Sequence, residues 1–123
     1  MTEILMFNLN GKKAIEIKNI CRSLNIGYRE VPKSDYSLIL GNILGIINDD
    51  TRGEDADFSE EMLYLIDFSD GMLNIFLKLL RSKKCSVALK AVMTETNINY
   101  TPTELYKEIS AEHEAMQSGK SIH

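Results

Sequence analysis

Two runs of four consecutive apolar residues, Ile4 to Phe7 and Leu63 to Ile66, stand 59 residues apart, and each is followed by a stretch with helical spacing. Such runs are too short for a helix and lack the alternation of a half-exposed strand, so both predict central strands buried on two faces. Behind the first run, Ala14, Ile17, Ile20 and Cys21 recur every three or four residues; behind the second, Leu73, Phe76, Leu79 and Leu80 do the same. Each set forms one apolar stripe on a helix. Arg22-Ser23 and Arg81-Ser82 coincide at the two helix ends. A weaker strand follows each helix, YREV at 28–31 and VALKAV at 87–92, with charges suited to a sheet edge. Another helix follows each of these. The chain therefore reads as a doubled βαβα unit, 1–47 and 62–116, in a single α/β domain over 1–116.

Turn and cap residues agree with that division. Asn10 and Ser69 stand where the first helix of each half needs an N-cap. Thr101-Pro102-Thr103-Glu104 carries a stronger signal. A Thr cap, Pro at the first helical position and Glu three residues after the cap satisfy helix-start donors that otherwise have no partner. The helix they open has Leu105, Tyr106, Ile109, His113 and Met116 along one stripe. Between the halves, NDDTRGEDADFSEE at 48–61 holds seven acids and one arginine, and reads as a solvated linker. The tail 117–123 is expected to fray.

Strand and helix in fourfold alternation favour a four-stranded sheet with the two most apolar strands, 1 and 3, at its centre. The order 2-1-3-4 is preferred, because both helices that follow the edge strands then find a sheet face. The ferredoxin-like order 4-1-3-2 is the alternative. In a parallel 2-1-3-4 sheet, right-handed crossovers moving outward in opposite directions place the two crossover helices on opposite faces. Ligands of such open sheets bind beyond the carboxyl ends of the strands where the order reverses. That geometry sets Asn8 and Asp67 side by side, with Thr94 and Asn97 beyond strand 4. Lys90 is the cation that would neutralise an anionic ligand there, unless the alternation of its strand turns it to solvent as an edge guard. The competing role for Asn8, Asp67, Thr94 and Asn97 is local: Asn, Asp and Thr in connections bond nearby backbone.

Composition narrows the function classes. A net charge of -4 repels nucleic acid and anionic lipid overall, so neither nucleic acid nor a membrane is an expected partner. No apolar run approaches a bilayer span, and the acid before the first apolar run with lysines after it reverses a secretory signal; a cytoplasmic setting is expected. There Cys21 and Cys85 are two thiols. Positive charge from the preceding RSKK would activate Cys85 if it were exposed, although a small hydrophobe entering a strand is the favoured role. The nucleotide, metal and nucleophile motifs are missing, so no catalytic residue, metal site or cofactor is assigned and the reading leans away from an enzyme. His113 lies on an apolar stripe with no carboxylate one turn away, as a structural histidine does.

Two surfaces are left. Lys78, Arg81, Lys83, Lys84 and Lys90 occur with no acid between Asp70 and Glu95, as a docking face or a solvated helix end favoured by the dipole. The helix from Met72 to Leu80 is apolar on more than one face, so Ile75 and Leu77 mark either packing or the seam of a homodimer or protein partner.

The stretch LKAV followed by Thr94, Asn97, Tyr100 and Glu104-Leu105, with LIDFSD and LLRSKK before it and EHEAM after it, resembles a small prokaryotic family catalogued as a domain of unknown function. The likeness covers 62–116, with Tyr100 standing where Trp is usual. It implies a domain identity without an activity, and lends Lys90, Thr94 and Asn97 weight as site residues only by resemblance. Two functions stay open: a non-catalytic binding or regulatory domain, and a small-molecule domain or minor enzyme for an anionic ligand.

Overall fold

A computed structural model describes residues 1–53 and 57–122, with side chains described up to 116. The chain divides into two compact units, Met1–Val31 with Glu60–Met93, and Pro32–Ser59 with Thr94–His123. This division cuts across the halves 1–47 and 62–116.

The first unit is the sheet. Its elements are β1 (Glu3–Phe7), α1 (Gly11–Ser23), β2 (Gly27–Glu30), β3 (Met62–Ile66), α3 (Asp70–Ser82) and β4 (Leu89–Val92). The order is β2-β1-β3-β4, the preferred one. β1 is parallel to β2 and β3 to β4, while β1 and β3 are antiparallel, Glu3 opposite Ile66 and Phe7 opposite Met62. The sheet is thus mixed, which corrects the parallel arrangement expected at its centre. Ile4, Met6, Leu63 and Leu65 share one buried cluster with Ala14, Ile17 and Ile20 of α1 and Phe76 and Leu80 of α3. Both crossover helices therefore cover the same face. Reversing the second pair of strands returns its right-handed crossover to the face that the first already uses. Leu5, Phe7, Met62 and Tyr64, which point the other way, are fully buried as well.

The spans of β3 and α3 fall 59 residues after those of β1 and α1, with equal lengths. Both helices end alike. Asn25 and Lys84 take left-handed conformations, φ 59° and 57°. The following amides, of Ile26 and Cys85, reach back to the carbonyls of Cys21 and Leu80 at 2.8 and 2.9 Å. Such a termination satisfies carbonyls the helix leaves open and suits Gly or Asn at the left-handed position.

The second unit contains a 3-10 turn at Lys33–Asp35, α2 (Leu40–Ile43), a 3-10 turn at Asn97–Asn99 and α4 (Pro102–Ile122). The capping box forms: the Thr101 amide donates to Glu104 Oε1 at 2.9 Å and the Glu104 amide to Thr101 Oγ1 at 3.1 Å. α4 continues to Ile122, through the tail expected to fray; His123 lies outside the described residues. Much of the acidic linker is also tied down. Arg52 donates to the Ser34 carbonyl at 2.6 Å and to Ser37 Oγ at 3.0 Å, and the Gly53 amide donates to the Ser37 carbonyl at 2.8 Å. Phe58, buried, stacks between Tyr36 and Tyr106 with ring centroids 4.9 and 4.5 Å away. Residues 54–56 of the linker lie outside the described residues. Among the described residues no helix is long and apolar enough to cross a membrane.

Candidate functional site

The antiparallel centre decides the fate of the expected strand-end site. Asn8 and Asp67 each follow their strand in a left-handed conformation, φ 60° and 61°. Because β1 and β3 run in opposite directions, however, they sit at opposite ends of the sheet, six residue steps or about 20 Å apart along the strands. Asn8 donates from Nδ2 to the Glu60 carbonyl at 3.0 Å. The Asp67 carboxylate accepts from the Met1 amino group at 2.9 Å, and its carbonyl accepts from Thr2 Oγ1 at 3.0 Å. The two do not meet.

Thr94 and Asn97 do meet. The Thr94 amide donates to Asn97 Oδ1 at 2.8 Å while the Asn97 amide donates to Thr94 Oγ1 at 3.0 Å. This is the reciprocal geometry of a capping box, made at the start of a 3-10 turn. The Asn99 side chain then donates to the Glu95 carbonyl at 3.1 Å, so the polar connection closes on its own backbone.

Lys90 lies opposite Leu63 in the β3–β4 register, and so shares the sheet face that α3 covers. It does not stand free as an edge guard. Half-buried, it donates from Nζ to the Val87 carbonyl. Burial holds its pKa below the ordinary lysine value. With Leu77, Leu80, Arg81 and Ser86 it lines a groove of about 250 Å³ between α3 and β4, and no carboxylate is among these lining residues.

Across the C-terminal turn of α3 lies a second concavity, of about 590 Å³, lined by Lys12, Lys13, Lys83 and Lys84 together with Glu16, Ser82 and Cys85. Lys13 is paired with Glu61 at 2.6 Å; among the described residues no ion pair engages Lys12, Lys83 or Lys84. α1 begins here with no acid in its first turn and no side-chain bond from Asn10, whereas Ser69 caps α3 by accepting the Met72 amide at 3.1 Å. Cys85 at the floor is buried, and desolvation, reinforced by Glu16, pushes its thiol pKa up. The neighbouring lysines therefore do not make it the reactive thiol that exposure would have allowed. Cys21 is pushed up to about 12 by burial alone.

On α3, Ile75 is 47% exposed, whereas Leu77 packs against the core cluster and walls the groove. His113 is partly buried on α4. No group of three or more His, Cys, Asp or Glu among the described residues is placed to hold a metal ion. Sequence reasoning missed Lys12 and Phe58. Their signals were two lysines in the first turn of a helix, where the dipole disfavours cations, and one large aromatic inside an acidic run.

No curated protein and no solved structure matches the chain. Residues 61–116, from the start of β3 through the first four turns of α4, match the family model described as a domain of unknown function, DUF3783.

Proposed function

We propose that the protein is a non-catalytic cytoplasmic binding domain whose sheet unit receives an anionic partner at the C-terminal end of α3. One observation carries this reading: charge is segregated within the chain. The sheet unit holds ten lysines and arginines against seven acids, net +3, and the other unit four against eleven, net -7. Lys83, Lys84 and Lys12 line one side of the α3 end, and Arg81 and Lys90 the other. A net charge of -4 thus conceals a local cationic surface, and local fields rather than the total decide which partner is drawn in. The polar residues that a strand-end catalytic site would need are already bonded to backbone, Asn8 to Glu60 and Thr94 with Asn97. The two cysteines, both free and both in the buried cluster, suit a reducing compartment.

The test is calorimetric titration with inorganic pyrophosphate. The expected result is saturable binding that weakens as salt is raised and falls at least tenfold in Lys83→Glu/Lys84→Glu. Equal heats from that variant and the parent chain would overturn the reading.

A second reading, self-association through α3, is supported by the exposure of Ile75. It predicts a dimer on a sizing column that Ile75→Glu converts to a monomer.

A further inference from the structure

The groove between α3 and β4 allows the ligand class to be narrowed, and this step rests on the binding reading above. Its walls are aliphatic, supplied by Leu77 and Leu80. Its polar groups are the Arg81 guanidinium, the Ser86 hydroxyl and the Lys90 ammonium, donors to an anion with no carboxylate among the lining residues to neutralise them. Lys90 is the unusual member. It occupies the sheet face covered by α3, opposite Leu63, where neighbouring positions are apolar, yet its charge is met by a backbone carbonyl alone. A desolvated ammonium without a counter-ion is costly, and a ligand bringing a carboxylate to it is favoured by the amount that cost is relieved.

Geometry limits the rest of the molecule. About 250 Å³ lies just below the range of about 300–1,000 Å³ typical of drug-sized ligands. Arg81 is exposed and Lys90 half-buried, so the groove offers an anionic head donors at two depths, and its leucines offer a tail an aliphatic wall. The geometry points to a small aliphatic carboxylate as the ligand of this groove, its carboxylate held between Arg81 and Lys90 and its chain against Leu77 and Leu80.

Hexanoate is the probe, and the ¹³Cε resonance of Lys90 in the full chain is the readout. The expected result is that saturating hexanoate raises the pH midpoint of Lys90 while shifting the Leu77 methyls. Hexan-1-ol, with the same chain and no charge, leaves the midpoint unchanged. Lys90→Met lowers hexanoate affinity at least tenfold, and Arg81→Gln, on the exposed rim, lowers it with the fold undisturbed. A Lys90 titration identical with and without hexanoate, or equal binding of hexanol, would overturn the inference. Pyrophosphate added to the same samples separates the two levels: if it still binds when hexanoate fails, only the ligand class is wrong. If neither binds, the anion-binding reading fails with it.

Discussion

The two β-α-β units of the sheet, β1-α1-β2 and β3-α3-β4, share strand and helix lengths and place left-handed residues at matching points, Asn8 with Asp67 and Asn25 with Lys84. They differ in what the shared backbone presents. At the end of α1 the left-handed position holds Asn, which tolerates it; at the end of α3 it holds Lys, which costs about 1–2 kcal/mol relative to Gly. α3 has a capped start and a cation-rich end, while α1 has an unmet start bearing Lys12 and Lys13. Because the units are antiparallel, the start of α1 and the end of α3 line one concavity. The same chain path thus makes a scaffold twice, and the side chains that depart from good scaffold practice gather at one end of it.

The largest test of this contrast is in the core. Phe76 and Ile17 hold matching places, both completely buried. Phe76→Ala is expected to cost about 3–5 kcal/mol and Ile17→Ala about 2–4, read from urea unfolding; a loss under about 1 kcal/mol at either would mean that its helix does not pack as described. The helix ends come next. Lys84→Gly should stabilise by about 1 kcal/mol and Asn25→Gly by a few tenths. A destabilised Lys84→Gly would show that the lysine is a structural asset rather than a departure. At the helix starts, Ser69→Ala should lose about 1 kcal/mol and Asn10→Ala almost nothing, since only Ser69 makes the capping bond.

The last test is a pH dependence. Cys21 has a folded pKa near 12 against an ordinary 9.0, so above pH 9 the unfolded chain releases a proton that the folded chain keeps. Stability is fully present below 9 and falls as pH rises, by under about 1 kcal/mol at half a unit above 9, with Cys85 acting in the same direction. A shallower alkaline slope in Cys21→Ala checks the sign.

Strand identity, sheet order and the capping box were legible because each rests on local pattern: apolar runs for β1 and β3, and Thr and Glu three residues apart for α4. The relative direction of β1 and β3 was not. Ile4 to Phe7 are buried on both faces whichever way β3 runs, so the pattern carries no sign of direction, and the switch-point site was built on the wrong one. Thr94 and Asn97 were singled out as ligand residues with a local turn role as the alternative, and their side chains bond each other's backbone amides across the connection. The groove around Lys90 needed three dimensions. Strand alternation set the face of Lys90, but that α3 closes over it follows only from the crossover. Phe58 stayed hidden because acids around it outweighed one ring in any composition window.

The central claim is that anion binding belongs to the α3 end and not to the matching end of α1. It is tested most directly by following backbone amides of the whole chain during titration with pyrophosphate. Amides from Arg81 to Ser86 and at Lys12 are expected to move saturably while those from Arg22 to Gly27 stay in place. Equal movement at both helix ends, or movement at neither, would contradict it.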